Sequence, residues 1–212
     1  MSRPELAELD LGDSREQWAR LGFEVGAEGT LRLGGVTMRL GMPGEGITGW
    51  TLRGIEATDA IDGLPTRVVD TPPTPLIDES VDRVAAGADP SEHPNGAIAL
   101  DHVVILTPDF ERTAAALADR GMPLRRESER NGARQGFRRL GPAIMEIVQA
   151  PDGDTRFWGL VAIVSDLDAL RARLGDDLGE ARPAVQPGRR IATLRRSAGL
   201  GLAVAFMDPE PR

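Results

Sequence analysis

Two stretches of this chain repeat each other at fixed spacing, and a repeat of about fifty residues constrains an architecture more tightly than composition does. From Asp101 the sequence reads DHVVILTPDFERTAAALADRGM and closes its unit with GFRRLGPAIMEIVQAP. From Trp158 it reads WGLVAIVSDLDALRARLGDDLG and closes with ATLRRSAGLGLAVAFMDP. Asp109 falls on Asp166, and Phe137-Arg138-Arg139 on Leu194-Arg195-Arg196, both at an offset of 57. Pro151 falls on Pro209 after one inserted residue.

Each copy has the same order of local signals. Ala97–Leu106 is an apolar run broken only by Asp101 and His102, the pattern of a buried strand. Thr107 is placed to cap a helix with Pro108 at its first position, and Gly121 to end it. Short strands are predicted near Leu124–Glu127, Gln135–Leu140 and Ala143–Gln149, divided by the turn dipeptides Asn131-Gly132 and Gly141-Pro142. In the twin, Leu160–Val164 is the strand, Ser165 the cap, and Asp166–Leu174 the helix, with Gly175 beyond it. Arg190–Arg196 and Leu202–Met207 supply the later strands. The fold class is therefore α+β, built of paired βαβββ modules.

A worn copy precedes them. Leu6–Leu11 reads as a strand, Ser14–Leu21 as a helix, and Gly22-Phe23-Glu24-Val25 as the start of another strand. LRLGGVTMRLGMP then resembles FRRLGPAIMEIVQAP, with Gly34 on Gly141 and Met38 on Met145 at an offset of 107. GITGWTLRGI opens like a fourth unit, but no helix pattern follows. Asp70–Asn95 turns to Pro, Asp and Ser, with room for a short helix near Ser80–Ala86. The expected organisation is a degenerate module region over 1–70, a Pro/Asp-rich linker over 71–96, and an intact paired-module domain over 97–209.

Composition excludes some function classes. There is no cysteine, so disulfides, thiolate metal sites and a Cys nucleophile are out. A net charge of −8 disfavours nucleic acid as a partner. The start, MSRPELAELDLGD, has no apolar core of signal-peptide length, and no apolar run is long enough to span a membrane. A cytoplasmic protein without a membrane partner is the expectation.

The paired units, the opening L-D-H-V-V strand, the P-D-hydrophobe helix start and the closing M-E-I-V strand resemble the vicinal oxygen chelate superfamily. Glyoxalase I, bleomycin-resistance proteins and extradiol dioxygenases belong to it. The resemblance covers Ile98–Met207 well and Leu6–Pro43 more weakly. It implies a mixed sheet curled around a cleft with helices outside, a small-molecule ligand, and association into homodimers. It also implies lyase, isomerase or dioxygenase chemistry on a small oxygenated substrate, or ligand sequestration without metal or catalysis.

Carried over to this sequence, the resemblance implicates His102 on the first strand and Glu146 on the last. They are suited either to hold Zn²⁺, Ni²⁺, Mn²⁺ or Fe²⁺ or to act as an acid–base couple. A core histidine bonded to a buried carboxylate is the structural alternative. Their duplicates are Gly159 and Val204, and in the worn copy about Leu6 and Arg39, none a comparable pair. A catalytic metal usually has three protein ligands. The second histidine, His93, its neighbour Glu92, or a residue of a second chain are the available additions.

A second constellation is VQPGRRIATLRR, which gathers Gln186, Arg189, Arg190, Arg195 and Arg196. Arg138 and Arg195 are the candidates to bind an anionic group, although all 25 basic residues are Arg and a solvated face is the ordinary outcome. Phe157, Trp158, Val204 and Phe206 are the candidates for an apolar wall.

Overall fold

The computed structural model describes residues 3–70, 93–130 and 132–211. The expected helix near Ser80–Ala86, most of the Pro/Asp-rich stretch, Glu92 and Asn131 lie outside them. The N-terminal half consists of β1 (Glu5–Leu11), α1 (Arg15–Arg20), β2 (Thr30–Leu33), β3 (Val36–Arg39), β4 (Ile47–Arg53), β5 (Ala60–Ile61) and β6 (Leu64–Val69). The C-terminal half has β7 (Ala97–Thr107), α2 (Phe110–Asp119), β8 (Arg126–Arg130), β9 (Ala133–Leu140) and β10 (Ala143–Gln149). It continues with β11 (Arg156–Val164), α3 (Leu167–Leu174), β12 (Arg182–Pro183), β13 (Arg190–Thr193) and β14 (Ala203–Met207).

The eight-stranded sheet runs β12-β13-β14-β11-β7-β10-β9-β8. Within each module the first and last strands are parallel, β7 with β10 and β11 with β14, and the two first strands meet antiparallel. The six-stranded sheet, β2-β3-β1-β4-β6-β5, obeys the same rule: β1 is parallel to β3, β4 to β6, and β1 antiparallel to β4. The strand after Ile47 thus opens a unit of its own, with no helix between β4 and β6 among the described residues. Two pairs of modules, one of them reduced, make up the structure.

Aspartates cap the two longer helices. Asp109 accepts from the Arg112 amide at 3.0 Å and Asp166 from the Ala169 amide at 2.9 Å, matching positions 57 apart. Sequence patterning places the caps at Thr107 and Ser165. Thr107 is spent elsewhere: its buried hydroxyl pairs with that of Thr113 at 2.6 Å, and its backbone is still in the strand. Gly22–Val25 forms no strand either. Gly22 takes φ +83° after α1, and Phe23 turns into the core instead.

One apolar cluster joins both sheets and the helices. Phe23 meets Trp18 edge-on at 4.9 Å and stacks on Phe206 at 6.2 Å, while Trp50 meets Phe157 at 5.3 Å. A polar latch adds to it. Asp62, the one non-glycine residue with positive φ among those described, sits in the β5–β6 turn. Its carboxylate accepts from Arg112 Nε at 2.7 Å, Thr155 Oγ1 at 2.8 Å and Thr113 Oγ1. These bonds hold the side chain ionised against the cost of burial.

The eight-stranded sheet has a second face. Val161, Ala205 and Met207 form a small separate cluster there, with Ala184 and Ile191 packed against it. Alternation along β10 puts Ile144, Glu146 and Val148 on this face, because Ala143, Met145 and Ile147 belong to the main core.

Candidate functional site

His102 and Glu146 meet on that second face. His102 pairs across the sheet with Val161 and Leu100 with Ala162, so Asp101 is the extra residue of a bulge. Two sequence neighbours that alternation would point to opposite faces thereby come together. His102 Nδ1 lies 2.7 Å from Asp101 Oδ2, and His102 Nε2 lies 3.3 Å from Glu146 Oε2. Gln135 Nε2 donates to Glu146 Oε1 at 2.8 Å. Arg189 Nη2 donates to Asp101 Oδ1 at 3.0 Å.

Burial sets the electrostatics. The side chains of His102 and Glu146 are 16% and 11% exposed, so the pair is largely buried. Desolvation pushes the Glu146 carboxyl above the usual range, and the neighbouring Asp101 adds to it; His102 and Arg130 oppose the rise. Burial acts on Asp101 in the same direction but is outweighed there. The hydrogen bond and charge of His102, with the Arg189 guanidinium, bring Asp101 below its ordinary value. Two carboxylates flank one imidazole, and their environments drive them apart, the arrangement acid–base chemistry uses.

A resident divalent metal fits these residues poorly. His102 Nε2 and Glu146 Oε2 are close enough to share an ion, but among the described residues no group of three or more His, Cys, Asp or Glu side chains converges. Asp101 is taken by the other ring nitrogen and by Arg189. His93 is engaged elsewhere: its Nδ1 accepts from the Glu24 amide at 3.0 Å, and its Nε2 donates to the Arg32 carbonyl at 2.8 Å. Both nitrogens are satisfied by backbone, so neither is left for a metal.

Burial also holds the His93 ring below the usual histidine value of about 6.5. It is neutral in the folded chain, whereas the unfolded chain takes up the proton first as pH falls. The stability it contributes is therefore complete above about pH 6.5 and is lost from there down through the lower folded value. Urea titrations between pH 7.5 and 5 are expected to show this decline in the wild type and a flatter profile in His93→Gln.

The other residues singled out by sequence are scattered. Val204 and Phe206, 1% and 0% exposed, belong to the main core on the opposite face. Phe157 packs against that core and Trp50. Trp158 is the extra residue of a second bulge, about half exposed. Arg138 lies across from Met145, a core residue, and its Nη1 donates to the Pro123 carbonyl at 3.5 Å. Arg139, its neighbour, pairs with Ile144 and so shares the face of His102. Arg195 is exposed, in the turn before Arg196–Ala198. The aromatic neighbour of Glu146 is Phe137, directly across from it. Asp101, Gln135 and Arg189 are additions that residue type alone did not single out. Asp101 was visible as a break in an apolar run, Arg189 as one arginine among several.

Register also corrects the duplicates. Gly159 sits beside Ala203 as His102 sits beside Ile144, so the counterpart of Glu146 is Ala205 rather than Val204. Gly159 is closed to any side chain, because a Cβ there would lie 2.2 Å from the Ala203 carbonyl oxygen. Gly159→Ala is expected to lower stability by roughly 1–3 kcal/mol in denaturant titration, since the obstruction is backbone. In the N-terminal sheet, Met38 sits beside Leu9 as Met145 sits beside Val103. The counterpart of His102 is thus Glu8, not Leu6, and that of Glu146 is Arg39. Those two form an ion pair at 3.9 Å, in which Arg39 also faces Asp10 at 3.5 Å.

A separate cleft of about 400 Å³ lies among Gly12, Asp13, Gln17, Glu45, Leu200 and Gly201, none of them part of the couple. No described helix is long and apolar enough to cross a membrane.

No family model and no curated protein matches the chain. Solved structures do. A methylmalonyl-CoA epimerase from Mycobacterium tuberculosis is 23% identical, covering 55% of this chain and 91% of its own, at a TM-score of 0.48. A Streptomyces coelicolor methylmalonyl-CoA epimerase in complex with 2-nitronate-propionyl-CoA is 17% identical over 51% and 92%, at 0.43. A hypothetical protein from Bacillus halodurans is 14% identical over 53% and 95%, at 0.45. Each of these likenesses covers about half of this chain and nearly the whole of the other.

Proposed function

We propose that this chain is a glyoxalase-like small-molecule protein that moves a proton on a small oxygenated substrate, in isomerase or lyase chemistry, with His102 and Glu146 as the acid–base couple. The observation that carries this reading is the line of polar contacts Arg189–Asp101–His102–Glu146–Gln135, in which His102 Nε2 and Glu146 Oε2 stand 3.3 Å apart. Asp101 orients the ring through Nδ1, and Nε2 of His102 and Oε2 of Glu146 offer one site to take a proton and one to return it. Dioxygenase chemistry is not part of this reading, because among the described residues no third His, Asp or Glu side chain converges on the couple.

The test is exchange in deuterium oxide. Small carboxylates and carbonyl compounds with a C–H beside the oxygenated carbon are incubated with the protein, and loss of that proton signal is followed by NMR. Incorporation by the wild type that falls to background in His102→Gln supports the proposal. Compounds that bind without exchanging would overturn it in favour of sequestration. Stoichiometric divalent metal in the purified protein, lost in His102→Ala, would overturn the metal-free couple.

A further inference from the structure

The couple belongs to the first module of its pair, but one end of its line of polar contacts does not. Arg189 comes from the second module, in the turn that leads into β13. It is 4% exposed, a depth at which an arginine requires full pairing. Its Nε donates to the Asp208 carbonyl at 2.8 Å and its Nη2 to Asp101 Oδ1 at 3.0 Å. Its backbone is fixed as well, accepting from the Ala184 amide at 2.9 Å and donating to the Gln186 carbonyl at 3.3 Å. Arg190 shows the contrast: exposed, it pairs with Asp208 and Asp168 at the surface and does not touch the line.

We infer that Arg189 is the positioning residue of the acid–base couple, holding the Asp101 carboxylate so that it fixes the His102 ring with Nε2 turned to Glu146. The inference rests on the acid–base reading of His102 and Glu146. One Asp101 oxygen is bound to the guanidinium, which leaves the other for Nδ1. Without the guanidinium the carboxylate can rotate, and the ring loses the partner that sets its orientation. The second module, which has Gly159 and Ala205 where the first has the couple, contributes by clamping its neighbour's site.

The chain contains two histidines, so each ring can be read separately by nitrogen-15 NMR, with His93 as an internal reference bonded only to backbone. In the wild type the His102 Nδ1–H is expected to be protected from solvent exchange. In Arg189→Gln its exchange is expected to quicken at least tenfold while the His93 Nε2–H stays as it was. Arg189→Lys, which keeps the charge but not the fork, is expected to restore part of the protection. Arg190→Gln is expected to match the wild type. An unchanged His102 proton in Arg189→Gln overturns the inference. So does equal quickening of both rings, which would mark Arg189 as a general structural clamp. If Arg189→Gln does not fold, Arg189→Lys is read by the same rule. Failure of substrate deuteration would leave the ring result standing, so the two proposals fail on different measurements.

Discussion

Phe206→Ala is expected to destabilise the chain by about 3–5 kcal/mol, the range for removing a fully buried phenylalanine. The ring is 0% exposed and stacks on Phe23, which also meets Trp18 and His93 edge-on at 4.9 and 5.2 Å. Truncation removes the link between an aromatic cluster of the N-terminal half and the last strand of the C-terminal half. The cavity left cannot close by local collapse, because the neighbours are strands in hydrogen-bonded sheets. Urea denaturation followed by tryptophan fluorescence should show a lower midpoint with an unchanged slope. A residue lining a ligand face would behave differently, with stability almost intact and affinity lost. A change below about 1 kcal/mol would refute the core placement.

That contrast shows what the sequence could convey. The repeat carried the order of elements within each module, and the family resemblance brought out His102 and Glu146. It could not say which face an apolar residue serves. Phe206 and Ala205 are adjacent in one strand, and only the register of β14 against β11 assigns one to the core and the other to the face of the couple. The bulge at Asp101 was illegible for the same reason, since strict alternation would send it away from His102. Arg189 was lost among arginines because its role depends on a hairpin that brings it 88 positions back along the chain to Asp101. Helix caps were misplaced by one or two residues, where Thr107 and Asp109 compete for the same role and a buried hydroxyl partner decides.

Glu146→Gln is expected to reduce proton exchange on a turned-over substrate by roughly 10²–10⁴-fold, the contribution of a positioned acid or base. Its effect on stability should run the other way. Desolvation raises the Glu146 carboxyl above its unfolded value of about 4.3. For a group shifted in that direction, the stabilising contribution is complete below the unfolded value and is lost as pH rises through the folded one. At neutral pH the wild type therefore bears the cost of ionising a largely buried carboxyl, with His102 and Arg130 offsetting only part of it. The amide has the same shape, can still accept from Gln135, and does not titrate. Glu146→Gln should thus be as stable as the wild type or more so at pH 7, with the difference shrinking toward pH 4. A group kept for function at the expense of stability behaves in this way. If the variant loses stability at pH 7 and retains exchange, Glu146 is a structural partner of His102, and the couple is not the seat of proton transfer.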